Sequence, residues 1–194
     1  MTYYDTHCHV NLMENPEKII QRAKQKNVEI ISNSTDKKSI KQNLELKQKH
    51  NINIALGIYP TDALNLSSKE IQEQIKIINN NQEKITAIGE VGLDLKWVSE
   101  IKKQIKNLEK FIKLSKEINK PIIIHSRKAE QQAINILEKN KCKKVVMHCF
   151  NGKMKLVKKI IQNNWKLTIP TNVTYSQHFQ KIIQITPIKN ILCE

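Results

Sequence analysis

The chain has 194 residues, 39% of them hydrophobic and 26% charged, with a formal net charge of +15 at pH 7. That size suits one domain with a real core over residues 1–194, and no run approaches the roughly 20 apolar residues of a membrane span. No basic-then-apolar leader opens the sequence, so a soluble, cytoplasmic protein is expected, and Cys8, Cys142, Cys149 and Cys193, without CxxC spacing, read as buried thiols rather than a disulfide framework.

In chain order, short β-branched runs alternate with longer helical patterns. Strands are expected at 3–7, 28–33, 53–57, 85–90, 121–125, 144–149, 165–169 and 191–194. Helices are expected at 15–26, 36–50, 67–80, 100–118, 128–140, 153–163 and 176–185. Repeated β-then-α order gives a parallel sheet with helices outside, and eight units are the number that closes a (β/α)8 TIM barrel. An open dinucleotide-binding sheet fits less well, because no GxGxxG follows the first strand and no GxxxxGK loop is present. The eighth unit is incomplete: "NILCE" ends the chain, with the eighth helix and the C-terminal loop missing.

The basic excess suits a polyanion, since lysine and arginine neutralise phosphates. Lysines spread along 37–49 and 102–116 read equally well as solvated helix faces, and the Lys, Ile and Asn excess resembles composition bias. Among 33 basic residues only Arg22 and Arg127 are arginine, which marks them as candidate sites for the planar, bidentate fork.

Residues able to bind a metal fall at one end of the expected strands. His7 and His9 close strand one, Glu90 strand four in "AIGEVGLD", His125 strand five in "PIIIHSR" and His148 strand six in "VVMHCF". That end is the catalytic face of a barrel, and residues two apart on a strand point the same way. Imidazoles with a carboxylate suit a catalytic divalent ion, and four histidines with one glutamate suit two ions sharing a bridging carboxylate. A hydrogen-bonded core histidine is the alternative for any one of them. Arg127 shares the rim with His125, as a grip for phosphate or carboxylate or as an ordinary capping or ion-pairing arginine. Asp5 is placed to hold a ligand imidazole in its tautomer. Asp94 reads as a loop-fixing acceptor, Cys8 and Cys149 as histidine neighbours, and His50 and His178 as structural or solvent-exposed.

"YYDTHCHVN", "GEVGLD", "PIIIHSRKA" and "MHCFNG" together resemble the TatD family of metal-dependent deoxyribonucleases, within the amidohydrolase-like TIM barrels. The resemblance implies a hydrolase that cleaves phosphodiesters in single-stranded DNA as a 3′-to-5′ exonuclease, using water activated by two divalent ions. These are Mg2+, with Mn2+ or Zn2+ as options. It also implies that His7, His9 and Glu90 hold one ion, that Glu90, His125 and His148 hold the other, and that Glu90 and Arg127 are catalytic. A related metallohydrolase acting on another ester, such as aminoacyl-tRNA, and an inactive nucleic-acid-binding protein are the alternatives.

Two departures from the family pattern stand out. "GIYP" puts Tyr59 where the family has a histidine, leaving a hydroxyl for substrate binding. The family's strand-eight motif E-T-D-x-P stops here at Glu194, expected to lie about 6–7 Å deeper than the absent aspartate and so not to replace it. A second polypeptide or fragment completing the barrel is the partner this truncation suggests, besides DNA.

Overall fold

The computed structural model describes residues 1–96 and 98–194. Eight parallel strands follow one another in chain order: β1 Tyr3–Cys8, β2 Val28–Asn33, β3 Asn53–Leu56, β4 Ala87–Gly92, β5 Ile122–His125, β6 Val145–Met147, β7 Lys166–Ile169 and β8 Ile191–Cys193. Helices α1 Pro16–Gln25, α2 Lys37–His50, α3 Ser68–Asn80, α4 Ile101–Glu117, α5 Glu130–Lys139, α6 Met154–Gln162 and α7 Gln177–Ile185 alternate with them. The result is the expected TIM barrel, nearly closed. Among the described residues no ladder pair joins β8 to β1; the seam is bridged by Thr6 Oγ1 donating to the carbonyl of Cys193 at 2.8 Å. No helix among the described residues is long and apolar enough to cross a membrane.

Local chemistry explains the alternation. All six residues of β4 and all four of β5 are buried, as expected of parallel strands covered on both faces. Pro16 opens α1 at a position where the missing N–H costs nothing. Asp36 with Ser39 and Ser67 with Glu70 form reciprocal capping boxes at α2 and α3, and Asn51 closes α2 in the left-handed region.

The larger core lies between strands and helices, where Phe111, Phe150, Trp165 and Phe179 are almost wholly buried. Each such side chain contributes roughly 1.5–3 kcal/mol relative to exposure. A smaller cluster of Ala55, Ala87 and Ile123, with Ile31 and Val146 against it, forms a separate apolar plug. By strand alternation His125 sits two residues above Ile123 and His148 two above Val146, so the plug is the floor of the functional end.

Candidate metal centre

Two irregularities in register aim the buried acids and bases. The pairing of β1 with β2 shifts between Asp5 and Cys8, and that of β4 with β5 between Ile88 and Val91. His7 therefore lies within β1 and Glu90 within β4 rather than at their last residues, while His9 follows β1, His125 ends β5 and His148 follows β6. Gly92 makes the β4–β5 approach possible. Its φ is +149°, and an added Cβ would fall 1.9 Å from the carbonyl oxygen of His125.

The Glu90 carboxylate, only 3% exposed, divides its oxygens between two imidazole pairs. Oε2 lies 3.5 Å from His7 Nε2 and 3.3 Å from His9 Nε2. Oε1 lies 2.9 Å from His125 Nδ1 and 3.7 Å from His148 Nε2. The rings of His7 and His148 stack with centroids 3.6 Å apart, joining the pairs.

The outer nitrogens explain the orientation. His9 Nδ1 meets the carbonyl of Asn33 at 2.9 Å, His125 Nε2 meets Asp94 Oδ2 at 3.1 Å, and His148 Nδ1 meets Glu194 Oε2 at 2.7 Å. In the neutral ring each acceptor favours the proton on the outer nitrogen, which frees the inner one, beside Glu90, for a cation. His7 Nδ1 is buried without a partner.

Among the described residues three donor sets arise, each with its atoms within 4.8 Å of one another: His7–His9–Glu90, Glu90–His125–His148 and His7–His148–Glu194. Imidazole nitrogens converging on a shared buried carboxylate fit catalytic divalent cations. Burial alone would raise the Glu90 carboxyl, but hydrogen bonds from His125, His7 and His9 hold it well below the ordinary glutamate value. Burial lowers His7. It also opposes protonation of His9, but the Glu90 contact outweighs it and His9 is raised.

Glu194 corrects an expectation. Expected too deep to take part, its carboxylate meets His148 and accepts from Thr168 Oγ1, which brings it into one donor set with His7 and His148. Strand alternation states which way a side chain points, not how far it extends. Asp5 corrects another: its Oδ1 accepts from the backbone N–H of His7 at 3.1 Å, not from an imidazole. The thiols are not fully buried either. Cys8, Cys142 and Cys149 are half-buried and Cys193 is exposed, because three of the four lie beside loops or at the seam.

Asp94 is wholly buried and fixes its surroundings as expected. Its backbone N–H and C=O pair with the Gln104 amide, and its Oδ1 accepts from Lys96 N. Tyr59 directs its hydroxyl to Asp94 Oδ2 at 2.6 Å and stands 2.9 Å from His125 Nε2. Arg127, with its side chain 47% exposed, holds Nε 3.9 Å from Asp94 Oδ2. It borders a hollow of about 70 Å3 with His125, His148, Glu130 and Asn151. Arg22 is exposed on α1 and has no ion pair among the described residues. His50 lies 3.8 Å from Glu17, and His178 donates toward the Phe150 carbonyl, both outside the cluster. Asn33, whose carbonyl orients His9, gave no signal in the sequence because any residue supplies a carbonyl.

The family model for TatD-related DNases matches residues 4–194. An uncharacterised metal-dependent hydrolase of Methanocaldococcus jannaschii is 32% identical over 195 residues, covering 99% of this chain and 77% of that protein. The human deoxyribonuclease TATDN3 is 26% identical over 207 residues, covering 98% of this chain and 76% of that protein. The crystal structure of YjjV, a TatD homologue of Escherichia coli K12, superposes with a TM-score of 0.88 at 26% identity, covering 98% of this chain and 77% of that one.

Proposed function

The chain belongs to the family of TatD-related DNases and is a metal-dependent hydrolase, and from that premise we propose that it hydrolyses phosphodiester bonds in DNA, at the 3′ end of single strands. The observation that carries the reading is the division of the Glu90 oxygens between His7 with His9 and His125 with His148. In this reading those two sets hold two divalent cations, Mg2+ or Mn2+, with Glu194 available beside His7 and His148. Such ions, when bound, offset charge on phosphate oxygens and lower the pKa of water.

The protein's own part is positioning. Asn33, Asp94 and Glu194 hold three imidazoles in the tautomer that leaves the inner nitrogen free to ligate. Arg127, half in solvent and beside the small hollow, grips the phosphate as a bidentate donor. The human relative's name, a deoxyribonuclease, supports the substrate class.

The test is degradation of end-labelled single-stranded DNA with Mg2+ or Mn2+, with and without chelator. Metal-dependent shortening from the 3′ end is the expected result, and Arg127→Lys should raise KM while metal content stays unchanged. A folded, metal-loaded protein that leaves DNA intact but cleaves an aminoacyl ester overturns the substrate assignment.

A further inference from the structure

The opposite end of the barrel carries a second hollow, of about 230 Å3, between the end of α4 and the loop preceding β6. Ile122, which opens β5, lies in its wall, whereas His125, which ends β5, belongs to the metal centre. Ile122 therefore lies on the order of 10 Å from His125, back toward the start of the strand. Five of its nine lining residues are lysines and none is acidic. Basic residues make up 33 of 194 in the whole chain, so the general lysine excess does not account for this concentration.

The five lysines play two different parts. Lys116 Nζ donates to the carbonyl of Asn140 at 3.0 Å, and Lys144 Nζ donates to Asn119 O at 3.1 Å and Oδ1 at 2.8 Å, so these two brace the neighbouring loops against each other. Both loops are further fixed by left-handed residues, Asn119 at φ 55° and Lys141 at φ 53°. Lys120, Lys141 and Lys143 stand on this frame, and none has an ion pair or side-chain hydrogen bond among the described residues. Beneath them half-buried Cys142 supplies an apolar wall, with Ile122 buried behind it.

We propose that this hollow binds one unstacked nucleotide of single-stranded nucleic acid, its base against the Ile122 and Cys142 wall and its flanking phosphates at Lys120, Lys141 and Lys143. An apolar wall under a rim of amines matches a nucleotide at both ends, whereas an acidic peptide would match only the charge. The volume falls below the range of about 300–1,000 Å3 for drug-sized pockets, which suits a single base and not a duplex. Lysine amines neutralise backbone phosphates without needing a fixed geometry. The proposal rests on the nuclease reading and deepens it: a strand held here stays attached while its end is shortened at the metal centre.

The test is fluorescence anisotropy of an oligothymidylate of about 16 nucleotides, in chelator so that no cleavage occurs. It compares wild type with K120E/K141E/K143E and with the milder K120Q/K141Q/K143Q, circular dichroism confirming the fold of each. The glutamate triple should bind at least about tenfold more weakly, and the slope of log K against log salt should flatten by about 2 for three lost phosphate contacts. The glutamine triple should change in the same direction. Metal-dependent hydrolysis of bis(p-nitrophenyl) phosphate, which is too small to reach the hollow, should be unchanged. Unaltered strand affinity and salt slope in the folded glutamate triple overturn the proposal, as does binding of free thymidine monophosphate alone. Competition by a sulfated polysaccharide but not by an unlabelled strand overturns it as well. Lysine-dependent strand binding by a wild-type protein that cleaves no DNA refutes the nuclease reading and leaves the hollow standing. DNA cleavage by a variant that still binds like wild type refutes the hollow alone.

Discussion

Glu194 Oε2 lies 2.7 Å from His148 Nδ1, so the end of β8 is fastened to an imidazole whose other nitrogen faces Glu90 at 3.7 Å. Removing that acceptor lets the His148 ring turn and lose its tautomer. Glu194→Ala should lower metal affinity about 10- to 100-fold, with Glu194→Gln losing less because its amide oxygen still accepts. Metal titration calorimetry checks both, and equal affinity in all three proteins would remove the orienting role.

Asp94 and Tyr59 separate by the same reasoning. Asp94→Asn replaces an acceptor shared by Tyr59 and His125, and its metal affinity should fall by about 10- to 100-fold. Tyr59→Phe leaves Asp94 bonded to Lys96 N and His125, so urea unfolding should register a loss of only about 0.5–1.5 kcal/mol.

Gly92→Ala meets both a φ of +149° and the His125 carbonyl oxygen. The variant should lose about 3 kcal/mol or more in urea unfolding, because backbone strain and a clash coincide. A loss under about 0.5 kcal/mol, within the range of ordinary surface substitutions, would show that β4 and β5 can separate without harm.

Acid should destabilise the metal-free protein in a defined order. Burial opposes ionisation of Asp94 and Glu194, yet the Tyr59 and His148 contacts leave both below their ordinary values of 3.8 and 4.5. A depressed carboxyl contributes stability that is complete above its unfolded value and lost as pH falls through its folded value. His7, lowered by burial, also loses its contribution as pH falls below 6.5, whereas raised His9 loses its own as pH rises above 6.5. Urea midpoints in chelator should therefore drop as pH falls below 4.5, and Glu194→Gln should flatten that drop. An unchanged slope in the variant would detach Glu194 from the acid transition.

The thiols should react in order of exposure. Burial pushes Cys8 up to about 12 and Cys149 up to about 11, while Cys193 is exposed. Alkylation followed by mass spectrometry should label Cys193 first, because the thiolate is the reacting form. Prior labelling of Cys149 would mean that its loop opens in solution.

Much of the fold was legible because buried β-branched runs such as Ile122–Ile124 contrast sharply with the capped, lysine-rich helices between them. The cluster around Glu90 was legible for the same reason: a histidine or glutamate beside an apolar run is conspicuous. The two register shifts were not, since no local pattern announces how β1 slides on β2. Nor was the Glu194–His148 contact, which joins residues 46 apart and depends on side-chain reach. The outer acceptors divide similarly. Asp94 was visible as an acid near the strand-four motif, while Asn33 acts through a backbone oxygen that no residue type distinguishes.

The Thr6 hydroxyl bridge to Cys193 makes the joint between first and last strands the mechanical weak point of the ring. His7 and His9 stand on one bank of that joint and Glu194 on the other, with His7 and Glu194 in one donor set. A cation gripping both banks acts as a rivet across the gap. Loading the protein with metal should therefore slow amide hydrogen exchange in β1 and β8 more than in β4 and β5, and the centre proposed for the chemistry would then double as a clasp on the barrel.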